Sequence, residues 1–241
     1  MESIVVSHSE KRPVVLLREK HMVKDGQISK FVADLLESYG LHSSSRALEL
    51  SCGDGSDVKG MRSRGFYIDG TDSDDILLEL SHKKNPESKF YKLDADGNWN
   101  SVGKRYDAVY SMLSFSGFEN PYKVCENAAL VIRPGGLFVF DYMNADRNWS
   151  SDYSLNEAVG SNGVKVSVKV DGSSVVVGYA YVINEVAYNV SFKNRLDSVW
   201  SVAAYLRPYF DIVGAYTLFS MNSAKWRADE RITIVARRIG G

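Results

Sequence analysis

The chain has 241 residues, 44% hydrophobic and 24% charged, the proportions of an ordinary globular protein long enough for one large α/β domain carrying an insertion. Its 29 basic and 30 acidic residues leave a formal net charge of -1, which excludes a global basic field for nucleic acid or an anionic membrane surface. Cys52 and Cys125 form neither a metal-ligand spacing nor a disulfide framework, and the opening residues, broken by charge and by Pro13, read as neither signal peptide nor membrane span, so a cytoplasmic address is expected.

In chain order, residues 1–27 are expected to form an N-terminal flap. Helical periodicity begins at Ile28 and continues through Phe31, Val32, Leu35, Leu36 and Tyr39, with Gly40 as the stop. Ala47 to Leu50 reads as a short buried strand running into Ser51-Cys52-Gly53-Asp54-Gly55, and a helix is expected from about Asp57. Further strands are expected at Phe66–Thr71, Lys89–Leu93, Tyr106–Leu113 and Leu137–Tyr142, separated by helices at about Asp74–Lys83 and Tyr122–Ile132. Arg133-Pro134-Gly135-Gly136 reads as a tight turn before the fifth strand. This alternation predicts a doubly wound α/β fold on a parallel sheet over residues 28–145.

The rhythm then changes. Val164, Val166, Val168 and Val170 alternate with polar residues, Asp171-Gly172 is a hairpin turn, and alternation returns through Val175–Ile183 and Val186–Phe192. Three antiparallel strands inserted over residues 160–195 are therefore expected, with Tyr179, Tyr181 and Tyr188 as pocket candidates. The insertion could roof a pocket or pair two copies as a homodimer. A closing helix (Ser198–Leu206) and two strands (Asp211–Leu218 and Arg231–Arg238) complete a single domain.

The stretch Ala47–Asp57 carries the first chemistry. Glycines in a strand-to-helix turn let the backbone approach a ligand, and Glu49 places a carboxylate at a strand's C-terminal end, where open α/β sheets bind ligands. Taken alone, the stretch admits any nucleotide-like ligand. Cys52 lacks a nearby histidine partner for nucleophilic work. The segment Asp94–Asn98 resembles the start of a calcium loop, but its twelfth position is Arg105 and not glutamate, so no metal is expected.

Four ordered segments narrow the reading: ELSCGDG at Glu49, IDGTDSDDIL ending the second strand, FYKLDAD ending the third, and YDAVYSMLSFSGF followed by VIRPGGLFVFDY. Together they resemble the class I S-adenosylmethionine-dependent methyltransferases. More modestly, they are similar to the small-molecule N-methyltransferases of the amino-sugar and glycine types. The resemblance implies a Rossmann-like sheet and S-adenosyl-L-methionine as cofactor. It implies that Glu49, Ser51, Cys52, Gly53 and Gly55 face the methionine end. Asp72 with Ser73 would meet the ribose hydroxyls, Asp94 with Ala95 the adenine, and Ser111 with Met112 the methionine side. Asp141, Tyr142 and Asn144, just past the fifth strand, become the candidates for acceptor contact. Ser51 departs from the family by standing where the first glycine usually sits, and no histidine occurs after His82. Two other readings stay open: a methyltransferase acting on RNA or protein, and a nicotinamide-dependent oxidoreductase. The turn's even spacing of Ser51, Gly53 and Gly55 speaks against the second, because a dinucleotide turn follows G-x-G-x-x-G.

Overall fold

The structure is a computed structural model that describes residues 26–103, 105–147, 149, 152–157, 164–183 and 186–240. His21, Lys24, Asp25 and the rest of the expected flap through residue 25 lie outside them, as do the side chains of Tyr179, Tyr181 and Tyr188.

The first half follows the expected alternation: α1 (Gln27–Ser38), β1 (Arg46–Leu50), α2 (Ser56–Arg62), β2 (Tyr67–Asp72), α3 (Asp75–Lys84), β3 (Phe90–Lys92), β4 (Tyr106–Ser111), α4 (Pro121–Val131) and β5 (Ile132–Asn144). Helix boundaries have local causes. Asp74 caps α3 by accepting from the N–H groups of Ile76 and Leu77, and Asn120 caps α4 with Pro121 in the first turn, where no N–H is needed. Strands β3-β2-β1-β4-β5 pair in that order and all in parallel, so the order reverses between β1 and β4. A crevice opens at the C-terminal ends of strands at such a reversal. Apolar side chains fill both faces: Leu48, Val109, Phe138 and Phe140 with α4 on one, Ala47, Ala108, Tyr110 and Val139 with α1 and α2 on the other.

Two expectations change. Arg133–Gly136 is part of β5, not a separate turn: Ile132 pairs with Tyr106, the register shifts, and pairing resumes at Leu137 opposite Ala108. Gly135 takes φ 78 there, and a Cβ on Gly136 would lie 2.7 Å from the Asp107 carbonyl oxygen, so the Gly pair makes a bulge with close backbone approach.

The insertion also has four strands where three were expected: β6 (Asp152–Glu157), β7 (Val164–Asp171), β8 (Ser174–Ile183) and β9 (Val186–Asp197), antiparallel in succession. DYSLNE of β6 alternates through only two apolar residues, Tyr153 and Leu155, a run too short to stand out beside the four valines of β7. Then follow α5 (Val199–Leu206), β10 (Phe210–Thr217) and β11 (Arg231–Arg238). Strand β11 runs antiparallel to β5 over Arg231↔Met143 to Arg237↔Leu137.

Strand β9 joins the main sheet through two residue pairs, Met143↔Leu196 and Asn144↔Asp197. Met143 also pairs with Arg231, and Phe140 pairs with both Ser111 and Ile234. A strand has two edges, so β9 must lie on the edge of β5 that β4 occupies up to Ser111 and then leaves. The insertion enters the sheet where β4 departs.

Candidate active site

The turn after β1 is built from left-handed backbone: Ser51 has φ 55, Gly53 φ 55 and Gly55 φ 74. Glycine accepts this conformation freely, whereas Ser51 does so against a penalty of about 1–2 kcal/mol. The turn is braced from behind by α3 and the residue after it. Ser81 Oγ donates to the Gly53 carbonyl at 2.8 Å, and Asn85 Nδ2 donates to the Gly55 carbonyl at 2.9 Å. A Cβ on Gly55 would stand 2.7 Å from Asn85 Nδ2, so the turn fits its brace only as glycine. Lys84 pairs with Asp54 on the same turn. The Gly53 N–H donates to Asp72 Oδ2 at 2.9 Å and the Gly55 N–H to the Cys52 carbonyl at 2.9 Å. Both donors therefore have internal partners, and Asp72 is tied to the turn beside it.

Along the same edge, Glu49, Asp72 and Asp94 stand at or just past the ends of the neighbouring strands β1, β2 and β3. Glu49 is buried and lies opposite Tyr110 of β4. Burial, together with the Glu49 and Asp57 carboxylates, pushes the Tyr110 phenol well above its ordinary value. Burial also raises the Asp72 carboxyl, opposed by the N–H groups of Asp74 and Gly53. Cys52 is buried, and burial with Glu49 and Asp72 nearby pushes its thiol up, away from nucleophilic use.

Ser73 and Asp94 are exposed at the rim, and Ala95 is buried with its carbonyl held by Asn127 Nδ2 at 3.1 Å. The same amide nitrogen reaches the Gly97 carbonyl at 2.7 Å, and Trp99 Nε1 donates to the Asp94 carbonyl at 3.2 Å, so the loop after β3 has its own brace.

Across the crevice, β4 ends at Ser111, whose buried Oγ has no hydrogen-bond partner among the described residues. Met112 is buried, and Leu113 turns into left-handed backbone at φ 62. Its N–H donates to Asp141, whose other oxygen accepts from Arg231 Nε at 2.8 Å. Asp141 is fully buried and thus holds two neighbouring segments together.

Tyr142 lies in the opposite core face. Its hydroxyl has no partner among the described residues, and burial, with Asp146 and Asp197 adding, raises its phenol. Asn144 donates through Nδ2 to the carbonyls of Trp226, at 2.6 Å, and Asp229, at 3.0 Å. It thereby fixes the segment between β10 and β11 at the same edge of the sheet.

The sequence reading missed the side chains that hold the site: Ser81, Asn85, Asn127, Arg231 and Arg195. Arg195 Nε donates to both Asp197 oxygens (2.8 and 2.9 Å), and its Nη1 donates to the Phe118 carbonyl at 2.6 Å, tying the insertion to the segment after β4. None sits in a glycine or strand-end motif; Ser81 and Asn85, one helical turn apart and both behind the turn, were the one detectable signal. Among the described residues no cluster of metal-binding side chains occurs, and no helix is long and apolar enough to cross a membrane.

A family model described as a methyltransferase domain matches residues 22–225. Over 187 residues the chain is 25% identical to glycine N-methyltransferase of Rattus norvegicus, covering 70% of this chain and 61% of that protein's length. Among solved structures, it resembles an S-adenosylmethionine-dependent methyltransferase from Clostridium acetobutylicum, with a TM-score of 0.80, 15% identity and coverage of 95% and 98% of the two chains. It also resembles a SAM-bound amino pentose methyltransferase from Micromonospora echinaspora, with a TM-score of 0.74, 14% identity and 99% of each chain covered.

The chain belongs to the methyltransferase-domain family. Its sheet has the Rossmann-like fold of the methyltransferase structures it resembles, and the family match speaks against the oxidoreductase reading. The residues present suit the S-adenosylmethionine that the resemblance implies: Glu49, Asp72 and Asp94 set a row of carboxylates at neighbouring strand ends, and the buried Ser111 Oγ that ends β4 has no partner among the described residues.

Proposed function

We propose that the chain transfers a methyl group from S-adenosylmethionine to a nitrogen of a small-molecule acceptor. The observation that carries this reading is the seat of β9: the inserted sheet joins β5 on the edge β4 has left, beside the crevice. Such a neighbour suits a closed pocket for a small acceptor better than an open groove for RNA or protein. The likeness to glycine N-methyltransferase and to a sugar N-methyltransferase from Streptoalloteichus supports nitrogen as the receiving atom. The chain spans 61% of the length of the glycine enzyme, so the acceptor is a class, small amines, and not glycine by name.

In this reading Asp72 and Ser73 hold the ribose hydroxyls, and Asp94 and Ala95 hold the adenine. Glu49, Ser51, Cys52, Gly53 and Gly55 border the methionine end, with Ser111 and Met112 on its far side. The bound cofactor supplies a methyl group already activated on a sulfonium. What remains for the chain is to align the acceptor with it, and alignment can lower a barrier by roughly 7–11 kcal/mol. Tyr142 remains a neutral phenol and shapes the acceptor end without acting as base. Asn144 acts through the β10–β11 segment it fixes. An acceptor entering as a neutral amine needs no dedicated base.

The test is incubation of the purified chain with methyl-labelled cofactor and a panel of amino sugars, glycine and other small amines, read by mass spectrometry. Label on the nitrogen of a small amine supports the reading. Label confined to added RNA or protein would replace it with the macromolecular alternative.

A further inference from the structure

Strand β4 ends one residue before Met112, and Leu113 then adopts φ 62, a backbone conformation that a leucine disfavours. Such strain persists only where the surroundings impose it, and it gathers at functional sites. The imposing group is a carboxylate. Asp141 of β5 accepts the Leu113 N–H with one oxygen and meets Arg231 Nε of β11 with the other, at 2.8 Å. Its carboxylate is fully buried and the Arg231 side chain nearly so, at 0% and 13% exposure.

A buried ion pair adds little stability over an apolar pair of equal volume, so its distinctive contribution here is geometric. The consequence reaches past Leu113. Turning the chain there takes β4 off the edge of β5, and β9 occupies the edge from Met143 onward. Ser116, three residues on, accepts the Met143 N–H at 2.8 Å and seals the new course.

We propose that Arg231 and Asp141 are positioning residues for methyl transfer. They hold Leu113 in its left-handed turn, which sets Met112 against the cofactor crevice and clears the seat for the insertion. Asp141 acts through Leu113 and not on the acceptor. The inference rests on the reading of the β4 end as one wall of the cofactor site.

The test is calorimetric titration of S-adenosylhomocysteine into wild type, Asp141→Asn, Arg231→Lys and the double variant Asp141→Asn/Leu113→Gly, with thermal unfolding of each. Asp141→Asn should weaken binding at least tenfold. Adding Leu113→Gly, which removes the penalty on the turn, should restore much of that loss. Arg231→Lys, which keeps the charge but not the planar nitrogen geometry, should weaken binding by a smaller factor.

A variant set in which melting temperature falls while affinity holds would overturn the proposal, and so would a loss that Leu113→Gly leaves untouched. Should Asp141→Asn fail to fold, Arg231→Lys decides alone: wild-type affinity there counts against the pair. Wild type that binds no S-adenosylhomocysteine would instead overturn the cofactor reading itself.

Discussion

Two strand ends flank the crevice, and they are held by opposite means. At the end of β1 the backbone turns left-handed at Ser51, Gly53 and Gly55, braced by neutral hydrogen bonds from Ser81 and Asn85. At the end of β4 a single non-glycine residue, Leu113, makes the left-handed turn, gripped by the Asp141–Arg231 ion pair. The first solution writes itself into the local sequence as small residues. The second draws on residues 28 and 118 positions away, and so leaves no local mark. Backbone shape near a cofactor can be secured either by removing side chains or by adding a remote charge pair.

The sharpest way to break the β1 side is Gly55→Ala. A Cβ there meets Asn85 Nδ2 at 2.7 Å and Ser81 Oγ at 3.0 Å on a residue with φ 74. Left-handed strain and overpacking together should cost about 2–4 kcal/mol, read as a lower midpoint in urea unfolding. An unchanged midpoint would show that the brace yields freely.

A second variant separates charge from shape on the β1 side. Asp57 of α2 accepts the Ser29 N–H at 3.1 Å, supplying α1 with the cap that Gly26 lacks. Burial, with Asp54 adding and the Ser29 N–H opposing, pushes its carboxyl up to about 6. Its folded-state value lies above its unfolded one, so the folded chain holds more protons between pH ~4 and ~6. The stability from this group is therefore full below that window and lost as pH rises through it. Asp57→Asn, which keeps the acceptor oxygen, should gain about 1–2 kcal/mol at pH 7.5 and nothing near pH 4. Unfolding curves at both pH values check the sign; a gain of equal size at each would remove the titration account.

The smallest effect compares the two turns directly. Ser51→Gly relieves strain but frees the unfolded chain, leaving a net gain of about 0.5–1 kcal/mol and a melting temperature higher by about 1–4 °C. A drop would mean that the Ser51 side chain contributes more than its backbone costs.

The sequence showed the strand ends of β1 to β3 well because they are written in periodicity and in small residues. Glu49, Gly53, Gly55, Asp72 and Asp94 all fall at or just past strand ends that the hydrophobic pattern marks. The end of β4 was placed too late, at Leu113, because an apolar run continues past the point where the backbone turns. Asp141 stood out as a carboxylate past a strand, but its pairing with Arg231 depends on β11 lying antiparallel beside β5. Periodicity carries no such register. Strand β6 escaped for a simpler reason: its alternation rests on Tyr153 and Leu155 alone.

The insertion has a topological property of practical weight. The chain leaves β5 at Ala145 and returns at Asp197, and the Ala145 N–H donates to the Asp197 carbonyl at 2.9 Å. The two ends of the excursion already touch, which is the condition under which domains are gained, lost or exchanged without disturbing their host. The antiparallel sheet is thus an excursion that leaves and rejoins its host at one point. On the proposed function, exchanging that excursion for another would remake the acceptor end and leave the ends of β1, β2 and β3 as they are.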